Sequence, residues 1–204
     1  ATIVAAIFLA PRRMPAAREV FGGCVIGIFS FGGFVFQTIG LQWTTPAKSG
    51  FITSLFVLFI PFISIIWERK KIPKSIFWAL IPAFAGLWAI SGVGFAITRL
   101  NPGDKITLLS AVCYAFQIVA IQVFTQKDGW MWQTVLHFAT IFVASLVGMF
   151  LERDSTLSFA LSSVTGVLYL AIFASVGALG LQMYAQRFTT SARASLIYIF
   201  EPIC

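Results

Sequence analysis

The sequence predicts an all-α fold, a polytopic bundle of membrane helices, and three observations predict it. Of the 204 residues, 59% are apolar and 10% are charged, less than half the charged share of ordinary globular domains. Mean hydropathy is +0.92. All 14 Lys and Arg fall between the long apolar runs, not within them. A soluble domain of this length has no core large enough for so many Phe, Leu, Ile and Val, and the surplus would lie exposed. Soluble enzyme domains, disordered chains and secreted disulfide scaffolds are therefore disfavoured. Cys24, Cys113 and Cys204 sit in apolar runs without pairing or metal spacing. They read as small apolar fillers. Both ends of the chain fall inside apolar runs, so a fragment of a longer protein is expected.

Six complete spans and the start of a seventh follow in order. Span A covers about 19–42, B 49–67, C 75–98, D 106–126, E 130–151 and F 157–185, while G opens near 192. Residues 1–10 read as the tail of an earlier span. Each run is long enough to cross a hydrocarbon core of about 30 Å as a helix. Helices satisfy their own backbone groups in lipid, and the runs are too long and unalternating for barrel strands. Pro46 after Thr44-Thr45 suits the first turn of B with a threonine cap, and Pro73 does the same for C. Asn101-Pro102-Gly103-Asp104 is a turn in which Asp104 is expected to cap D, and Ser191 is expected to cap G.

Basic residues orient the bundle. Arg12, Arg13, Arg18, Arg69, Lys70, Lys71, Lys74, Lys127, Arg187 and Arg193 fall on one side, and Lys48, Arg99, Lys105 and Arg153 on the other. The richer side, with residues 11–18 and 68–74, is expected to be cytoplasmic. The net charge of +7 then reflects topology and anionic headgroups. The basic residues form no stripe with exposed aromatics, so no nucleic acid is expected as a partner.

Residues 32–52 recur at 177–197, an offset of 145. Gly32 matches Gly177, Gln37 matches Gln182, Thr44-Thr45 match Thr189-Thr190, Ala47 matches Ala192 and Ile52 matches Ile197. Both copies straddle the end of one span, a Thr-Thr corner and the start of the next. The number of crossings between the copies is odd, so the second enters the membrane upside down. Such an inverted pair is typical of secondary transporters, and a repeat of this length implies about ten spans in roughly 290 residues.

The run Ile39-Gly40-Leu41-Gln42-Trp43-Thr44-Thr45-Pro46-Ala47-Lys48-Ser49-Gly50-Phe51-Ile52-Thr53 resembles the GLQYTTA…FLT signature of EamA-type proteins in the drug/metabolite transporter (DMT) superfamily. Pro61 resembles the proline inside their fourth helix, and Gly103-Asp104 the pair that opens their second half. Ala185–Ser191 followed by Glu201-Pro202 resembles their eighth-to-ninth helix junction and its Glu-Pro pair. The resemblance implies about ten helices in two inverted halves of about five, cytoplasmic termini and alternating access. This chain would be helices three to nine. Residues 1–98 would end the first half, and residues 99–204 would begin the second.

Ten residues are expected to line the solute cavity. Glu201 is the acidic residue well inside a span, and Pro202 frees an acceptor at the same depth. Gln37 and Gln182 are equivalent amides of the two copies. Ser110, Tyr114 and Gln117 lie at i, i+4 and i+7 on D, and Gln133 and His137 at i and i+4 on E. Thr53 and Tyr198 align in the repeat at the openings of B and G. For each, interhelical packing or hydrogen bonding is the competing role. His137 is the single histidine, so no histidine cluster exists for a metal, and no cofactor is expected.

The expected function is export of a small organic metabolite, an amino acid or a drug-like solute, through the plasma membrane of a bacterium. The expected partners are that solute, the lipid bilayer and a second copy of the chain as a homodimer. The competing functions are an integral-membrane lipid-modifying enzyme and a structural or channel subunit. Lipid chemistry needs clustered acids, histidines or a nucleophile–base pair, and six of the seven acids lie in loops or at span edges, so no enzyme is expected.

Overall fold

A computed structural model describes residues 1–10, 13–69, 73–90, 101–125, 129–151 and 161–198. The described residues form helices α1 (Thr2–Leu9), α2 (Ala17–Leu41), α3 (Pro46–Ser54), α4 (Phe56–Trp67), α5 (Lys74–Ile90), α6 (Pro102–Phe124), α7 (Trp130–Leu151) and α8 (Leu161–Tyr169). A π-helical stretch over Leu170–Gly177 joins α8 to α9 (Ala178–Gln186), and α10 is Ser191–Tyr198. There is no strand among the described residues. Among the described residues, five segments are long and apolar enough to cross a bilayer: Ala17–Leu41, Pro46–Trp67, Pro102–Phe124, Trp130–Leu151 and Val164–Gln186. They coincide with spans A, B, D, E and F. Span C begins as expected at Lys74; residues 91–98 lie outside the described residues.

The helix starts follow local chemistry. Pro46 takes the first turn of α3, and Thr45 caps it by accepting from Lys48 N at 3.3 Å. The other two caps differ from expectation. Asn101 caps α6, accepting from Asp104 N at 2.8 Å, while Asp104 Oδ2 reaches back to accept from Asn101 N at 2.9 Å. This is a reciprocal capping box. Thr190, not Ser191, caps α10, accepting from Arg193 N at 3.4 Å. A break at Leu55 divides span B. There Leu55 N bonds Ile52 O and Leu58 N bonds Leu55 O, both three residues back, and the Ser54 hydroxyl donates to Gly50 O at 2.7 Å. A serine bonded back along its own helix bends it.

The chain divides into two compact units. The first holds residues Ala1–Phe31 and Phe124–Phe188. In it, glycines of α2 let α7 approach closely. A Cβ on Gly23 would lie 2.5 Å from Leu136 Cβ, and one on Gly27 would lie 2.6 Å from Thr140 Cβ. Contacts rise together along both helices, so α2 and α7 are parallel. On the other side of α7, Trp130 meets Tyr184 with ring centroids 5.2 Å apart, and Thr134 Oγ1 donates to Met183 Sδ at 3.1 Å. Here the numbers run oppositely, so α9 is antiparallel to α7 and hence to α2. Spans A and F, equivalent in the repeat, therefore run in opposite directions.

The second unit holds Gly32–Val123 and Thr189–Cys204. Its core joins Phe56, Val57 and Ile60 of α4, Ile76 and Leu80 of α5, Ala111, Ala115, Ile118 and Val119 of α6 and Ala192 of α10. The later part of α2 packs antiparallel on α6, where a Cβ on Gly33 would meet the Tyr114 ring and one on Gly40 would lie 2.9 Å from Gly103 O. Helices α4 and α10 are also antiparallel. Ser191 at the start of α10 bonds Ser64 near the end of α4 at 2.6 Å, and Tyr198 meets Phe56, with centroids 6.3 Å apart, at the other end. The equivalent spans B and G are thus inverted as well. Thr44-Thr45 and Thr189-Thr190 stand at opposite ends of the Pro46–Trp67 span.

Candidate functional site

The second unit carries most of the predicted residues. On α6, Ser110, Tyr114 and Gln117 share one side of the helix, as their spacing requires. Tyr114 is the member tied across to α2: its hydroxyl donates to Gln37 Oε1 at 3.1 Å. Gly33 makes room for the phenol ring, and Phe34 meets that ring edge-on with centroids 5.8 Å apart. Ser110 and Gln117 are buried. Ser110 Oγ and Thr53 Oγ1 are buried hydroxyls with no hydrogen-bond partner among the described residues. Buried hydroxyls ordinarily find partners, so these two positions keep hydrogen-bonding capacity in reserve. Tyr198 is half-buried and packs on the same core as Tyr114.

The first unit carries Gln133, His137 and Gln182. Gln133 Nε2 donates to Phe124 O at 2.8 Å. His137 is fully buried, and its Nε2 lies 2.8 Å from Ser30 Oγ. The single Ser30 proton goes to Ile26 O at 2.9 Å, so Ser30 accepts and His137 Nε2 donates. That fixes Nδ1 as a bare acceptor, and it has no partner among the described residues; neither has Gln133 Oε1. Gln182 is half-buried on α9. Gln37 and Gln182 belong to different units, and Glu201 lies outside the described residues.

Two polar clusters in the second unit were not singled out in the sequence. At the start of the α3–α4 span, Asp104 accepts from Thr44 Oγ1 at 2.7 Å and from Lys48 Nζ at 2.5 Å. Its side chain is wholly buried and that of Lys48 is nearly so. Asn101 Nδ2 donates to Trp43 O at 2.6 Å, closing the corner. At the far end, Ser191 donates to Glu68 Oε1 and Ser64 donates to Ser191. Opposite charges at two loops of one membrane side, Lys48 and Asp104, were a readable signal of the first cluster. Nothing in the sequence pairs Ser64 and Glu68 with Ser191.

An apolar cleft of about 530 Å³ in the first unit is lined by Val4, Leu9, Trp130, Val176, Gly180 and Tyr184, among others. None of the predicted residues lines it. Among the described residues no group of three His, Cys, Asp or Glu side chains is placed to hold a metal.

A helical membrane bundle whose repeated spans lie inverted is the architecture of a transporter-type integral membrane protein. The EamA-like transporter family model matches residues 1–92 and 101–204, and the chain belongs to that family, in keeping with the DMT resemblance. An uncharacterized transporter of Archaeoglobus fulgidus is 31% identical over 183 residues, which cover 89% of this chain and 57% of that protein. The chain thus spans little more than half the length of that relative. No solved structure matches the present chain.

Proposed function

We propose that the whole protein is a secondary carrier that exports a small organic metabolite, an amino acid or a drug-like solute, by alternating access. The observation that carries this reading is the antiparallel pairing of α4, the later part of span B, with α10, the opening of the equivalent span G. Residues 1–98 and 99–204 belong to the two inverted halves, and rocking of one half against the other exposes the midplane to each side in turn. The Gln37–Tyr114 pair with Ser110, Thr53 and Gln117 offers hydroxyl and amide groups suited to the polar end of such a solute. Gln133, His137, Gln182, Tyr198 and Glu201 complete the proposed lining, with Glu201 as a proton or solute site. The protein works in the plasma membrane of a bacterium, with residues 11–18 and 68–74 cytoplasmic, as a homodimer. Neither enzymatic activity nor nucleic-acid binding is part of this reading.

Counterflow in proteoliposomes tests it, using the full-length protein and a panel of amino acids and small metabolites. Saturable flux with counterflow is expected. A linear, unsaturable flux would assign the protein to the channels, and hydrolysis or transfer on lipid substrates would assign it to the enzymes. Gln37→Ala and Gln182→Ala are each expected to raise the solute concentration needed for half-maximal flux. Normal kinetics in both would return those amides to packing. Glu201→Gln is expected to insert normally and to change the pH dependence of transport; an unchanged profile would remove the acid from coupling.

A further inference from the structure

We infer that the two polar clusters at the ends of the α3–α4 span, Thr44–Lys48–Asp104 and Ser64–Glu68–Ser191, are the alternating latches of this carrier. The inference rests on the carrier reading above and adds the residues that hold each side shut.

Three observations place the latches. They lie at opposite ends of one span, Pro46–Trp67, 22 residues long, hence about 33 Å apart along the helix axis and at opposite membrane faces. Each joins the two halves of the sequence. Thr44 and Lys48 belong to the first half and Asp104 to the second; Ser64 and Glu68 belong to the first and Ser191 to the second. Each is built on one carboxylate that accepts from side chains across that boundary. Between them the same helices meet through apolar contact, including Phe56 with Tyr198.

The chemistry suits a contact that must break and re-form. Parting apolar faces would bare hydrocarbon to water. A carboxylate parted from hydroxyl and ammonium donors takes water in their place, so the exchange is nearly balanced. While closed, each cluster rests on buried members, Asp104 in one and Ser64 and Ser191 in the other, where reduced access of water strengthens their bonds. Ser191 has no cap to serve, because Thr190 caps α10, so its hydroxyl is committed to Glu68 and Ser64. Asp104 does complete the α6 capping box through Oδ2, yet it also receives Thr44 and Lys48 from across the boundary.

Thiol labelling of the full-length protein in proteoliposomes tests the inference, with native cysteines replaced. Ser195→Cys reports on the Glu68 end and Ser49→Cys on the Asp104 end; both serines are buried. A charged, membrane-impermeant methanethiosulfonate is added to one side at a time. Ser191→Ala is expected to speed labelling of Ser195→Cys from the Glu68 side by about tenfold or more, the loss of one charge-assisted hydrogen bond, while Ser49→Cys stays protected. Asp104→Asn is expected to do the converse. Thr44→Val gives the same reading should Asp104→Asn fail to fold. Reporters that stay closed in folded variants would overturn the latches, and so would both reporters opening together in every variant. Labelling needs no solute. Side-specific labelling without counterflow would therefore reject the carrier reading alone, and counterflow without side-specific labelling would reject the latches alone.

Discussion

Gly33 stands where a side chain would strike the Tyr114 ring, since an added Cβ would lie 2.5 Å from Cε1. Gly33→Leu is expected to destabilise the protein by about 1–3 kcal/mol, the usual cost of overpacking, and to part Tyr114 from Gln37. Gly148 has nothing within 4 Å of such a Cβ, and Gly148→Ala is expected to add up to about 1 kcal/mol through helix propensity. Thermal unfolding in detergent checks both, and equal shifts of one sign would refute the contrast. The spacing of Ser110, Tyr114 and Gln117 made their shared side legible, because helical periodicity needs no tertiary knowledge. That Tyr114 alone reaches Gln37 was not legible. It depends on the missing side chain at Gly33 and on the antiparallel register of α2 and α6, which no local pattern encodes.

At the scale of elements, boundaries were legible where one residue type determines them. Thr45 and Pro46 start α3 as the sequence demands. Two caps moved by a residue or more, because Asn101 and Asp104 satisfy one another and because Ser191 bonds across to another helix. Thr45→Ala is expected to cost about 0.5–2 kcal/mol, the range for a lost cap, whereas Ser191→Ala leaves the Thr190 cap intact. Circular dichroism during thermal unfolding separates helix loss from mere loosening; equal helix loss in the two variants would contradict this assignment. Beyond α4 the chain turns through Arg69 with φ of 54°, a left-handed conformation that costs a residue with a Cβ roughly 1–2 kcal/mol. Arg69→Gly is therefore expected to raise stability modestly, and a fall in the unfolding temperature would argue against it. The Leu55 break and the π-helical stretch were not readable from the sequence, because neither Pro61, six residues past the break, nor Gly177, the last residue of the stretch, marks the place where the helix departs from regular winding.

The whole molecule was legible through a weak repeat. An odd number of crossings between the copies requires inversion, and the directions of α2 against α9 and of α4 against α10 agree. What the repeat could not give was which residues meet across it, since packing partners depend on tilt and close approach. The inversion makes a prediction of its own. Trp43 and Phe188 are equivalent, exposed positions just before the two Thr-Thr corners. Single cysteines there, in the full-length protein, are expected to react with an impermeant reagent from opposite sides of the membrane. Reaction from one and the same side would defeat the inverted topology.

The stretch Leu170–Gly177 is wound with hydrogen bonds five residues back, while its counterpart one repeat earlier, residues 25–32, is ordinary α-helix. Every α-helical residue advances the chain by about 100° around the axis, so a wider coil resets the aim of all that follows it. Gln182 follows it; Gln37 has no such reset before it. The two amides match letter for letter yet point differently from the bodies of their own helices. A duplicated chain has in this way become asymmetric, and Gln182 meets its surroundings at an angle that Gln37 does not share.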